Sequence, residues 1–318
     1  MIYLTLFFLS LILTFIIKKI AIQKSLVDIP NERSSHTVAT PHGGGVAIAI
    51  TWFTGITYLY FTNNIDDTLY FALMVGMVIS IVSYMDDLYE LSAKLRLVVQ
   101  FLVAIVGLYI LGGLDKIDFI FFQINNQVFT NISACLIIVW FINLYNFLDG
   151  IDGYAGSEAL FLATVGYLLF GGTHFLVLFA AVAGFLVFNW HKAKIFMGDV
   201  GSTLLGYNIA IFTIYYQNEG TSLFVWFILF GVFLFDASIT LFRRYKNKES
   251  LTKAHKKHAY QRLTQLGFSH DKVVLLAMLV NIVLFTIVFL SQNVLLALFI
   301  SVAILHGIVK FIDHKKAF

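Results

Sequence analysis

Long apolar runs separated by short polar stretches set the pattern of this chain. A bilayer core of roughly 30 Å needs about 20 apolar residues per helical span. About eleven such runs recur, near residues 2–17, 44–62, 68–85, 97–113, 128–147, 157–171, 172–190, 200–217, 221–242, 272–290 and 294–311. The 2 prolines, Pro30 and Pro41, fall in one polar stretch, so the long runs lack the residue that most often breaks a helix. The pattern predicts an all-α, polytopic integral membrane protein, with one transmembrane domain over residues 1–318 and no soluble domain or convincing internal repeat. The first run is short, and Lys18 and Lys19 can snorkel from its end to the interface. No basic segment precedes it, as one would in a signal peptide, so it is expected to be a retained span.

Composition agrees with that class. The chain is 59% hydrophobic and 12% charged, with a mean hydropathy of +0.86, too little polar surface to cover a water-soluble globule. Its net charge of +3 is spread over short loops, which argues against nucleic acid as a partner. The single cysteine, Cys135, lies in an apolar run and reads as a small core residue. Lys and Arg collect in short cytoplasmic loops. With the N-terminus outside and the C-terminus cytoplasmic, only Lys116 of the 21 Lys and Arg residues falls in an outside loop.

Five polar clusters then land on the cytoplasmic face. Asp86 and Asp87 end one apolar run; adjacent carboxylates at a helix C-terminus repel each other and the dipole, and call for a cation or a proton, although a solvated helix end explains them as well. NLYNFLDGIDGYAG places Asn143, Asn146, Asp149 and Asp152 three residues apart, along one helical face or around a turn, since Gly150 and Gly153 permit either. In FNWHKAKIFMGDVGS, Asp199 precedes a span and is either an N-cap or a ligand for a hard cation such as Mg²⁺, which needs only one or two protein carboxylates. Asn189 ends the preceding span, and Phe196 can stack on a base or anchor at the interface. The basic loop from Arg243 to Arg262 carries 8 Lys and Arg residues, which lipid attraction alone explains, but also His255, His258 and Tyr260, which it does not. PNERSSHTVATPHGGG ends in Gly43, Gly44 and Gly45, either a flexible turn or a close approach of backbone to phosphate. Together these groups suit a metal-assisted phosphoryl transfer between a soluble nucleotide and a lipid phosphate.

DIPNERSSH with TPHGGG, the Asp86–Asp87 pair, NFLDGIDG, FMGDVGS, and Asp236 followed by Arg243, Arg244 and the histidine loop resemble the polyprenyl-phosphate N-acetylhexosamine-1-phosphate transferases, of glycosyltransferase family 4 type, from about residue 28 to residue 263. NFLDGIDG and FMGDVGS together are highly specific. The resemblance implies a UDP-activated N-acetylhexosamine and polyprenyl (undecaprenyl) phosphate as substrates, polyprenyl-diphospho-sugar and UMP as products, and Mg²⁺, with Mn²⁺ as a substitute. It implies Asp199 and Asn146 as metal ligands, and Asp86, Asp87, Asp149 and Asp152 as catalytic residues, with Asp149 and Asp152 near the uridine. Asn189, Phe196, Lys94, His255, His258, Tyr260, Gln261 and Arg262 are implied as substrate-binding residues. It also implies a multi-pass protein of the bacterial inner membrane, for which a homodimer is compatible. Many members read H-x-H-H where this chain has His258, Ala259, Tyr260 and Gln261, which leaves the sugar open. The chain resembles the branch that starts O-antigen-like lipopolysaccharide chains more than the peptidoglycan phospho-MurNAc-pentapeptide translocase. Two other classes are weighed beside this one. A secondary transporter would carry its acidic residues near the bilayer midplane, and a lipid-binding scaffold would need the basic loop but not the carboxylates.

Overall fold

In a computed structural model of the chain, residues 1–30, 38–119, 122–251, 253 and 255–318 are described. Residues 31–36 of the DIPNERSSH motif lie outside the described residues. The order of elements is α1 (Ile2–Gln23), β1 (Val27–Asp28), β2 (Thr40–Pro41), α2 (Gly45–Phe61), α3 (Asp67–Met74), α4 (Gly76–Tyr89), α5 (Ala93–Ile110), β3 (Ile117–Asp118), β4 (Gln123–Ile124), α6 (Gln127–Phe147), α7 (Tyr154–Phe170), α8 (Thr173–Asn189), α9 (Asp199–Asn218), α10 (Leu223–Leu229), α11 (Gly231–Lys246), α12 (Ala259–Gln265), α13 (His270–Leu290) and α14 (Val294–Lys315). The strands form two small antiparallel pairs, β1 with β2 and β3 with β4.

Every predicted apolar run is helical. Short polar side chains start several of the helices by accepting an otherwise unpaired backbone N–H: Asp66 from Leu69 at 2.9 Å, Ser92 from Leu95 at 3.3 Å and Asn126 from Phe129 at 3.1 Å. By length and apolar composition, 6 helices among the described residues can cross a membrane, with α3 and α4 counted together, or up to 7 if α10 and α11, bent by 82° at Phe230, make one span. That makes a multi-pass membrane protein. The helices α2, α7 and α8 are as apolar but shorter.

The centre of the bundle is α9. Every residue from Val200 to Ile214 is buried, and the helix packs against α2, α4, α6 and α10. Asn208, Thr213 and Gln217 lie buried along it, so this helix is sheathed by protein rather than by lipid. Its first turn meets α2 where Gly45 lies back to back with Gly201, an approach only glycines permit. Elsewhere in the core, Asn281 of α13 donates to Glu158 of α7 at 2.6 Å, which satisfies one oxygen of a buried carboxyl.

Candidate active site

The polar ends of α4, α5, α6 and α9 meet at one end of the bundle. The N-terminus of α9 carries unpaired N–H groups and the positive end of its dipole, an arrangement that attracts anions. Two carboxylates occupy it: Asp149 accepts from the Gly198 N–H and Asp87 from the Asp199 N–H. Gly198, with φ of +74°, makes the turn that aims these groups. Asp86 accepts from the Leu91 N–H at 2.7 Å and from Arg96 Nη1 at 2.7 Å, and the same Arg96 nitrogen lies 3.5 Å from Asp199 Oδ2. Asn146 Nδ2 donates to Asp199 Oδ1 at 2.8 Å and to Ser202 Oγ at 3.0 Å. The structure thus gathers Asp86, Asp87, Asn146, Asp149 and Asp199, from motifs more than 100 residues apart.

Four carboxylates face one guanidinium here, and such an excess of negative charge calls for a cation or protons. Burial, then the charge of Asp199, raises the Asp149 carboxyl well above the usual range despite the Gly198 N–H. The donors are all oxygens, which fits a hard divalent ion. Because the Asn146 amide nitrogen is committed to Asp199 and Ser202, its carbonyl oxygen is the atom suited to face such an ion.

Next to this cluster lies a cavity of about 270 Å³, with Asp199, Asn146 and Arg96 at its polar side and Ile79, Val82 and Leu97 on its apolar walls. Gln100 and Asn143 also line it and bond to each other at 2.6 Å. A second cavity, of about 240 Å³, shares Phe147 and Leu251 with the first and adds Lys253, His255, His258 and Gln261. A third, of about 500 Å³, shares Gln261 with the second and holds Asp152, His191, Phe196, Lys256 and His270. The first and second thus adjoin at Phe147 and Leu251, and the second and third at Gln261.

The turn after α6 shapes the third cavity. Tyr145 donates to Ala155 O at 2.8 Å across the turn, and Asn189, buried, accepts from the Gly153 N–H at 3.0 Å while donating to Ile195 O at 2.9 Å. Asn189 is therefore a brace behind the cavity wall. Phe196 is fixed by its backbone, which donates to Pro41 O at 2.8 Å and accepts from the Gly44 N–H at 2.9 Å. The Asp152 carboxylate accepts from the Ala193 N–H at 3.2 Å and lies 3.0 Å from His191 Nδ1 and 3.2 Å from His270 Nδ1. Burial alone would raise this carboxyl, but the His270, Ala193 and His191 contacts outweigh it and hold it below the usual range.

The remaining predicted residues divide. Gln261 and His258 border cavities, whereas Tyr260 is buried, its ring against Tyr154 and its hydroxyl donating to Phe147 O at 3.3 Å. Arg262 is buried in an ion pair with Asp313 at 2.6 Å, away from the cavities. Burial, followed by the charges of His258 and Arg244, lowers His255 to about 4, and with Nδ1 accepting the Lys257 N–H at 3.2 Å the neutral ring would offer phosphate one N–H donor and no charge. Lys94 is exposed on the first turn of α5, while Arg96 is the cation that reaches the acidic pair. Sequence reasoning overlooked Arg96, His191 and His270. Arg96 had a signal in its place 10 residues after Asp86, near the start of α5.

Residues 69–217 match glycosyl transferase family 4. The chain is 34% identical to the Bacillus subtilis protein described as a probable undecaprenyl-phosphate N-acetylglucosaminyl 1-phosphate transferase, over 91% of this chain and 84% of the relative. It is 28% identical to the undecaprenyl-phosphate alpha-N-acetylglucosaminyl 1-phosphate transferase of Yersinia pestis, over 96% and 89% of the two chains. It is 30% identical to the decaprenyl-phosphate N-acetylglucosaminephosphotransferase of Mycobacterium tuberculosis, over 85% and 76%.

Proposed function

Because the chain belongs to glycosyl transferase family 4, we propose that it transfers an N-acetylhexosamine 1-phosphate from a UDP-sugar to a polyprenyl phosphate. An oxygen of the lipid phosphate attacks the sugar-bearing phosphorus of the donor, the bond from that phosphorus to the bridging oxygen breaks, and UMP leaves. The observation that carries this reading is a row of three adjoining cavities, from one walled by Ile79, Val82 and Leu97 beside the Asp199 cluster to one that holds Phe196, Asp152 and Lys256. A lipid phosphate suits the first, where the carboxylates stand, and a nucleotide the last.

Asp199 and Asn146 are the residues that would hold a divalent ion, Mg²⁺ or Mn²⁺, whose charge would offset that of the diphosphate. Arg96 would orient the incoming phosphate, since its guanidinium already bridges Asp86 and Asp199. Asp86 or Asp87 would take the proton of a singly ionised acceptor. Phe196 would stack on the uracil, and Asp152, held ionised by its partners, would accept a hydrogen bond from the nucleoside. N-acetylglucosamine is the sugar to test first, as it appears in the names of all three relatives, and the product would start a surface polysaccharide of the O-antigen kind.

The test is UMP release from purified protein, Mg²⁺, undecaprenyl phosphate and a panel of UDP-N-acetylhexosamines. Release that requires both the lipid and the ion is expected. A transporter or a scaffold would release none.

The same reading has the apolar runs, about eleven, crossing the inner membrane, the N-terminus outside and the row of cavities facing the cytoplasm. On a Cys135→Ala background in intact cells, Asn64→Cys and Asn125→Cys are expected to react with an impermeant thiol reagent, and Ser92→Cys and Lys194→Cys to stay unlabelled. All four positions are exposed. Labelling of Ser92→Cys from outside would invert the topology and remove the site from the cytoplasmic nucleotide pool.

A further inference from the structure

The helix α12 is only 7 residues long, too short to be stable without tertiary support. It nevertheless carries Gln261, which sits in the wall between two cavities, and it follows His258, whose backbone N–H donates to Gln261 Oε1 at 3.3 Å. Its N-terminus is fastened to α11, where Asp236 accepts the Ala259 N–H at 2.8 Å and the Tyr260 N–H at 3.4 Å. That anchor fixes one end of the helix but leaves its rotation and tilt to other contacts.

Tyr260 holds one side of α12 against Tyr154 and Phe147 O, and the anchor on the other side comes from α14, beyond the residues matched to the family and beyond the motifs of the sequence. Asp313 takes Arg262 Nη1 on Oδ1 at 2.6 Å and both terminal nitrogens of Arg243 at 2.9 and 2.8 Å. Arg262 Nη1 also donates to Lys316 O at 3.0 Å. One carboxylate therefore ties α11, α12 and α14 together. The Phe318 ring closes the cluster, with Lys257 Nζ at 5.0 Å and the guanidinium carbons of Arg243 and Arg262 at 5.3 and 5.7 Å from its centre. Successive residues of a helix point about 100° apart, so Tyr260 and Arg262, fastened on either side of Gln261, together set the angle at which it meets the cavities.

We propose that Asp313 is a positioning residue for the donor side of the active site, acting through Arg262 to set the rotation of α12. It touches neither substrate. This rests on the phosphotransferase reading above, because the UDP-sugar is the ligand whose pocket α12 borders. The carboxylate neutralises two guanidinium groups, one of them buried, and an amide in its place leaves that charge without its partner.

The test uses the full chain in nanodiscs, with Asp313→Asn, Asp313→Glu and Arg262→Lys, assayed with UDP-N-acetylglucosamine and undecaprenyl phosphate varied separately. Asp313→Asn should raise the donor KM roughly five- to thirtyfold and change the acceptor KM less than about twofold. Asp313→Glu, which restores the charge, should recover most of the donor KM. If Asp313→Asn does not fold, Arg262→Lys, which keeps the charge but loses the planar fork, should show the same split. Equal rises in both KM values, or a fall in kcat alone tracking a lower Tm, would reduce Asp313 to a structural role and overturn the proposal. An unchanged donor KM would overturn it too. Backbone hydrogen exchange at residues 259–265 reads the anchor with no substrate present, and it should quicken in Asp313→Asn; unchanged exchange there counts against the anchor. Failure of the wild type to release UMP would sink the phosphotransferase reading instead, leaving the exchange result to judge the anchor by itself.

Discussion

Asp199→Asn should reduce kcat on the order of 10²-fold or more, because in the proposed role as a metal ligand the lost charge removes several kcal/mol of transition-state stabilisation and each ~1.4 kcal/mol is tenfold in rate. The fold should survive. Asn matches Asp in shape, and its carbonyl can still accept from Asn146 Nδ2, now 2.8 Å from Asp199 Oδ1. Removing one of four clustered carboxylates also relieves repulsion, so Tm without added metal should hold or rise. The informative contrast is the effect of Mg²⁺ on Tm. A ligand that binds only the folded state raises stability by mass action, so Mg²⁺ should raise Tm in the wild type and have little effect in the variant. Near-normal turnover, or an undiminished Mg²⁺ effect, would take the metal away from Asp199.

Gly45→Ala should destabilise the fold where α2 meets α9 and abolish activity. A Cβ at Gly45 would lie 2.2 Å from Gly201 N, 2.5 Å from Gly201 Cα and 3.0 Å from Met197 O, all of them backbone atoms that no rotamer change can move. Either α2 or α9 must shift, which threatens the Gly45 N–H to Met197 O bond of 2.8 Å and the neighbouring Gly44 N–H to Phe196 O bond of 2.9 Å. Overpacking of this kind costs about 1–3 kcal/mol, at times more, and each net hydrogen bond adds about 1 kcal/mol. A fall in Tm of several degrees is expected, together with loss of activity, because the displaced segment carries Phe196 and leads into Asp199. Gly307→Ala on α14 is the control. No atom lies within 4 Å of a Cβ there, and alanine favours helix by about 1 kcal/mol over glycine, so Tm should hold or rise slightly. Equal effects at the two positions would mean that the α2–α9 contact is not rigid.

Local pattern and tertiary structure divide unevenly in this chain. The helices were legible because an apolar run without proline has few alternatives, and the residues of NFLDGIDG and FMGDVGS were visible because carboxylates and carboxamides are rare beside such runs. The 82° bend at Phe230 was not legible: the apolar run passes through it unbroken, and only Gly231 hints at a joint. Nor was the division of labour within the basic loop. Tyr260, Gln261 and Arg262 are consecutive, yet one enters the core, one borders two cavities and one pairs with Asp313, 51 residues away. A partner that distant leaves no local trace. His191 and His270 were hidden for the same reason, since their common neighbour Asp152 is 39 residues from the first and 118 from the second.

The central position of α9 has a consequence for how the protein is made. Its buried Asn208, Thr213 and Gln217 would be poorly solvated by lipid tails, and polar groups in hydrocarbon need partners within the protein. Its neighbours α2, α4 and α6 precede it in the chain and have already left the ribosome when α9 emerges. Those three helices can therefore receive α9 as it arrives, and its integration becomes a docking event templated by the half of the protein already in the bilayer. A nascent chain that reached α9 with α2 displaced would lack the surface that meets Gly201 and Phe212, and the lesion would show first as failed insertion and turnover of the chain, before any enzyme existed to be assayed.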